Sequence, residues 1–375
     1  MRYLPAHIEL DRQRLANALG EWPDAGPHAG ALLLVPESEA GRVPDIQAAF
    51  RERGLALFGA IFPALVTDRG FATTGGWLLR FDPMPPAFLL EGLGHDDMGD
   101  ASRLAEAART HCLRPPGEAG PTLFLFFDAM VPHIASTMLA VFGMIRDTVR
   151  YAGVNAGSET FQPMPCLFDA ERIVGDGVLG LALDETPVVV KHGYPVARTL
   201  MRATSTTGNR IKLIDGRRAM DVYREVVRAD FGVDLTHENF YDYAVHFPFG
   251  VVSAADVVVR IPVAFDEDGA IACVGEVPPD SMLRLIRAPA LEQSRCVGEI
   301  TEALEARPGE DRGPLLAFYC AGRRMHLGAD AAAELASLQA ATGASTLVGA
   351  LSLGEIGVFE VTGMPQFHNA AIVCA

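Results

Sequence analysis

Three short, unbroken apolar runs, at 32–35, 123–127 and 315–319, constrain the fold of this chain most. A strand with one wet face alternates apolar and polar residues, so a continuous run suits a strand covered on both faces. Each run is followed by a helical pattern, over 45–53, 132–150 and 330–341. Pro132 suits a helix start, where its missing N–H would have had no intrahelical partner, and Gly54 and Gly343 suit helix ends. A stretch rich in small residues comes next, at 57–61, 151–157 and 347–357, and a further apolar strand closes each unit at 77–81, 178–183 and 369–374. The pattern predicts an α/β fold of mixed sheets covered by helices, a layered sandwich, with a β-α-β-β module used three times. No residue-level identity among the three separates a true repeat from ordinary α/β alternation.

Between the second and third modules the pattern changes to hairpins. Gly208-Asn209, Asp215-Gly216 and Asp268-Gly269 each separate apolar or β-branched runs, and these dipeptides supply the positive φ angles that tight hairpin turns need. One helix is expected among them, over 218–230. Placing the division just after it gives an N-terminal domain over 30–230 and a C-terminal domain over 231–375. No low-complexity linker separates the two, so they should pack together.

Charge excludes several classes of partner. The chain has 375 residues and a formal charge of -16, and no Lys/Arg run overrides that field locally. Phosphate backbones and anionic lipid surfaces are repelled, so neither nucleic acid nor membrane is expected as a partner. Glu9 and Asp11 interrupt the N-terminal region where a secretion signal needs an apolar stretch. The apolar segment 122–145 is broken by Asp128, Pro132 and His133, which suits a strand, a turn and a helix better than a membrane span. A cytoplasmic protein is expected. Its six cysteines are dispersed without a C-x-x-C pair, so they should be thiols and should build no structural zinc site.

Three stretches carry a family likeness. The first runs from His192-Gly193-Tyr194-Pro195 through Gly208-Asn209 and Leu213-Ile214-Asp215-Gly216 to Val222-Tyr223. The second contains Phe247-Pro248-Phe249-Gly250, Val259-Arg260-Ile261-Pro262 and Gly275-Glu276-Val277-Pro278. The third contains Cys320-Ala321-Gly322-Arg323, a helix with Glu334, Gly354-Glu355-Ile356-Gly357 and His368-Asn369. In order and spacing these resemble the FIST N and FIST C domains of bacterial sensory proteins, over roughly 30–375. Two departures imply a pocket of altered size or polarity. Ala350-Leu351 stands where the family often has aromatic residues, and Ala370-Ala371 where it often has a polar pair.

The resemblance implies a sensor rather than an enzyme, with a small ligand and a separate signalling partner such as a histidine kinase or a cyclic-dinucleotide enzyme. The candidate ligand-binding group is Arg323, Glu355, His368, Asn369 and Cys320. A guanidinium after a buried strand can hold a carboxylate with two parallel hydrogen bonds, and Glu355 lies in a glycine-flanked turn that permits close approach. Together they would suit an amino acid. The alternative is an internal Arg323–Glu355 ion pair that fixes the turn. His368 and His192 can each be a ligand contact, an axial haem ligand or a satisfied core histidine. Cys320 reads equally as an ordinary core thiol. Asp128 and Asn155, in the second module, occupy strand ends where α/β sites form, although Asp128 can also serve as a helix cap.

Motifs for nucleophile elbows, phosphate loops and zinc proteases are absent from the sequence, and Gly175-Asp176-Gly177 does not fit a dinucleotide fingerprint. Two alternatives to the small-ligand sensor remain. One is a haem-based nitric-oxide sensor regulating a histidine kinase, and the other a hydrolase or transferase with dispersed catalytic residues.

Overall fold

The computed structural model describes residues 3–20, 22, 26, 28–112, 120–184, 186–195, 200–253, 256–306, 312–359 and 362–375. The chain is mixed α/β, with four mixed or antiparallel sheets among the described residues. Each apolar run forms a buried strand, at Gly30–Pro36, Thr122–Asp128 and Pro314–Cys320. Helices Val43–Arg51, Ile134–Ile145 and Asp330–Thr342 follow, then parallel partner strands Ala56–Phe62, Arg150–Ala156 and Thr346–Ser352. Strands Gly76–Phe81, Val178–Leu183 and Ile372–Cys374 pair antiparallel on the other side of each apolar strand. The expected module is therefore present three times. The helix predicted over 132–150 is shorter, because His133 at φ 61 delays its start and Arg146 at φ 49 ends it before the next strand.

Each unit is larger than the predicted module. An edge strand and a helix precede it: Leu4–Ile8 and Arg12–Gly20, Ala87–Leu90 and Asp97–His111, Val189–Lys191 and Cys296–Ala303. Each edge strand pairs with its own unit's closing strand. A short hairpin also lies between the parallel and closing strands of every unit, and it pairs with a different unit. Leu65–Thr67 of the first joins Thr346–Ser352 of the third. Glu355–Val358 of the third joins Arg150–Ala156 of the second. Leu167–Asp169 of the second joins Ala56–Phe62 of the first. The exchange closes a ring of three units, at whose centre Phe62, Phe126 and Phe318 meet with ring centroids 6.3, 5.8 and 5.7 Å apart.

The ring depends on one residue type at one position. Gly59, Gly153 and Gly349 are each the fourth residue of a seven-residue parallel strand. Opposite them the incoming hairpins place Phe168, Ile356 and Val66. A Cβ on any of the three would fall inside contact distance of a carbonyl oxygen of the parallel partner, that of Leu33, Leu125 or Ala317. This shared glycine is the residue-level signature of the repeat.

The fourth sheet is an antiparallel insertion in the third unit, between its edge strand and its first helix. It contains the predicted hairpins: Met201–Thr207 with Arg210–Ile214, Arg210–Ile214 with Arg217–Arg218, and Pro262–Phe265 with Ile271–Cys273. Helix Ala219–Phe231 packs on it through Met220, Tyr223 and Val227. A division at residue 230 falls inside this insertion. Among the described residues, no helix is long and apolar enough to cross a membrane.

Replacing Gly349 by Ala sets a methyl against backbone that cannot move without breaking the ladder, so the loss of stability should exceed about 3 kcal/mol. Gly41, with open space around it, should tolerate Ala to within about 1 kcal/mol. Urea unfolding midpoints of the two variants measure the difference.

Candidate functional site

The third unit brings four of the five candidate residues together. Glu355 and His368 are direct cross-strand partners, and Asn369 follows at once. Cys320, at the end of its strand, accepts the Ala370 N–H on Sγ at 3.1 Å. Asn369 is fixed at both ends, its Oδ1 accepting from Ile261 N at 3.2 Å and its Nδ2 donating to His368 O at 3.0 Å. Arg323 faces other partners. Its Nε and Nη2 donate to the two Glu334 oxygens at 2.7 and 2.6 Å, Nη1 to the carbonyls of His192 and Ala370 at 2.7 and 2.9 Å, and Nη2 also to Ser294 Oγ at 2.8 Å. These contacts use all five donors of a guanidinium. Tyr319 and Ser294 hydroxyls donate to Glu334 at 2.6 and 3.0 Å.

The ion pair is therefore Arg323–Glu334 and not Arg323–Glu355. Both side chains are fully buried. Burial alone would push the Glu334 carboxyl up, but the guanidinium and its hydrogen bonds hold it below its usual range. Losing either partner would leave a bare charge in the core, at a cost of about 3–5 kcal/mol. Among the described residues, Glu355 has no such cation in contact. It accepts from the Ser352 hydroxyl and from Ala371 N at 3.3 Å, and burial pushes its carboxyl up to about 8.

Of the five, Cys320 and Asn369 line a cavity of about 30 Å³, which has room for water rather than for a ligand. Burial pushes His368 down to about 3, and its Nδ1 has no partner. His192 accepts Tyr194 N–H on Nδ1 at 2.9 Å, and its Nε2 lies 3.2 Å from Val257 O. An axial haem ligand needs a free nitrogen facing an open apolar cavity. His192 has both nitrogens engaged, and neither ring lines the 30 Å³ cavity or the two larger ones below, so these histidines do not fit haem.

A cleft of about 510 Å³ lies next to the small cavity and shares Phe161, Val263 and Val274 with it. It opens at the carboxyl ends of the second unit's parallel strands, where α/β sheets characteristically bind ligands. One wall is the turn from Ala129 to Ala135 with Asn155; the insertion supplies Asn209, Arg210 and Glu276 opposite, and Phe367 of the third unit closes it. Asp128 does not enter the cleft. Its carboxylate accepts Met130 N at 2.9 Å and Asp176 N at 2.7 Å, which fixes the turn. Asn155 is 1% exposed and its Oδ1 has no hydrogen-bond partner. At the same strand position the first and third units carry Ile61 and Leu351, both fully buried. A polar side chain where the repeat places aliphatic ones is a cost to folding that needs another explanation.

A third cavity, of about 630 Å³, lies between the insertion and the third unit and is lined by Arg287, His246 and His326 among others. Burial pushes His326 down to about 4. His133 and Glu276, which line the 510 Å³ cleft, escaped sequence reasoning because they lie in separate turns that meet only where the insertion faces the second unit.

The chain matches the FIST N domain over residues 14–217 and the FIST C domain over residues 219–358. It belongs to the FIST family, whose domains act as sensors in signal transduction. No curated protein matches it.

The pH dependence of stability should report Glu355. Its native pKa of about 8 lies above the ordinary 4.5, so the native state keeps a proton that the unfolded chain releases. Stability from this group is complete below about pH 4.5 and is lost as pH rises toward 8, by up to about 1.4 kcal/mol per unit. Glu355→Gln should remove that fall, so the variant gains on the wild type between pH 5 and pH 8 in urea unfolding.

Proposed function

We propose that this chain is a cytoplasmic small-ligand sensor whose ligand occupies the 510 Å³ cleft and whose output passes to a separate signalling protein, of the histidine kinase or cyclic-dinucleotide enzyme class. The observation that carries this reading is Asn155. Its unpartnered Oδ1 is an acceptor in a mostly apolar wall, so it selects a ligand with an N–H donor on a compact apolar body. An amino acid has this build: the ammonium group donates to Asn155 and the side chain lies against Val263, Val274 and Phe367. Cys320 and Asn369 line the small adjoining cavity behind Phe161, which has room for a water beside the ligand. Arg323, Glu334 and Glu355 hold the frame that positions this wall.

Hydrolysis or group transfer through a cysteine thiolate is disfavoured by the chemistry of the lining. The cleft's one cysteine, Cys273, is pushed up to about 12 by burial, so it carries no thiolate at neutral pH.

Thermal unfolding against the twenty amino acids and simple amines tests the reading. A compound at a hundred times its Kd should add about 2.7 kcal/mol of stability. Asn155→Leu, the residue of the third unit at this position, should fold normally and lose that response. A folded Asn155→Leu protein with an undiminished response would exclude Asn155 as the recognition group.

A further inference from the structure

Three side chains of metal-ligating type converge from separate segments, and two of them, His133 and Glu276, line the cleft. Asp97 lies in the first turn of helix Asp97–His111, His133 directly precedes helix Ile134–Ile145, and Glu276 lies in the insertion. One ligand atom of each lies within 4.8 Å of the other two. His133 Nδ1 is 3.4 Å from Glu276 Oε1. Two donors held about 2.05 Å from a tetrahedral ion stand roughly 3.3 Å apart, so this spacing is already close to a coordination edge.

The proton count also leaves a place for a cation. Ser136 Oγ lies 2.6 Å from Glu276 Oε1 and 3.2 Å from Asp97 Oδ2. A hydroxyl has one proton, so it serves one carboxylate while the other faces its lone pairs. Two helix N-termini oppose a cation here with about half a positive charge each, and Ser136 N donates to Glu276 Oε2 at 2.9 Å. Two carboxylates outweigh that field and leave a net negative charge. Independently, the buried Asn155, whose Oδ1 has no partner, lines the same cleft.

We propose that Asp97, His133 and Glu276 bind a divalent transition-metal ion of the zinc type, with a coordination position open toward the cleft. One imidazole and two carboxylates suit such an ion, and three protein ligands with an open fourth position describe a site that takes a further group. The absence of zinc expected from the sequence rested on cysteine spacing; all six cysteines are buried, and none belongs to this group. The site does not depend on the identity of the organic ligand, because the ion alone is the probe.

Isothermal titration of the chelator-stripped full chain with Zn²⁺ tests the proposal, with Co²⁺ absorption as a second readout. One ion per chain is expected, with a cobalt spectrum free of thiolate charge transfer. His133→Gly removes the imidazole and suits the φ of 61, so the fold is kept. It and Asp97→Asn should each weaken binding at least about tenfold, with unchanged circular dichroism. No stoichiometric binding by the wild type, or equal affinity in both folded variants, would overturn the site.

Discussion

Every unit of this protein gives a hairpin to one neighbour and accepts one from the other, and the accepting strand admits the hairpin only because it carries glycine at its centre. Gly59, Gly153 and Gly349 each lie between a parallel partner and an incoming strand, with no space for a Cβ. Backbone contact at this distance sets the spacing of the three sheets and, through it, the meeting of Phe62, Phe126 and Phe318 at the centre. Closing the ring also pairs strand edges that would otherwise be exposed to association.

The Arg323–Glu334 network secures the third unit within that ring. It ties the strand ending at Cys320 to helix Asp330–Thr342 and, through the carbonyls of His192 and Ala370 and the hydroxyl of Ser294, to the segments on either side. A fully committed guanidinium has nothing left for a ligand. The second unit differs because its strand ends face the insertion across a cleft, and there the repeat's aliphatic position has become Asn155. The ring lies on one side of this cleft and the hairpin sheet on the other.

Much of the frame was legible in the chain. Continuous apolar runs marked the three central strands because those strands are covered on both faces, and Gly208-Asn209, Asp215-Gly216 and Asp268-Gly269 marked real turns of the insertion. The exchanged hairpins were not legible, since strands of two to four residues have no periodicity to detect. The common glycine escaped notice for the same reason: its role depends on a partner from another unit. Likewise Arg323 stood out as a functional residue, whereas its partner Glu334 lies beyond a helix break, and only the fold decides between Glu334 and Glu355. Asn155 was visible at a strand end, but its meaning depends on aligning it with Ile61 and Leu351.

The ligand-sensing role proposed for the second unit's cleft is open to direct measurement. Hydrogen exchange read by mass spectrometry, on the full chain with and without the small-molecule fraction of a cell extract, tests this most directly. Protection should appear in 129–135, 207–210 and 273–276, which line the cleft, while 314–323 and 330–342 stay as slow as before. Protection confined to 287–293 and 326–330, around the 630 Å³ cavity, would contradict it.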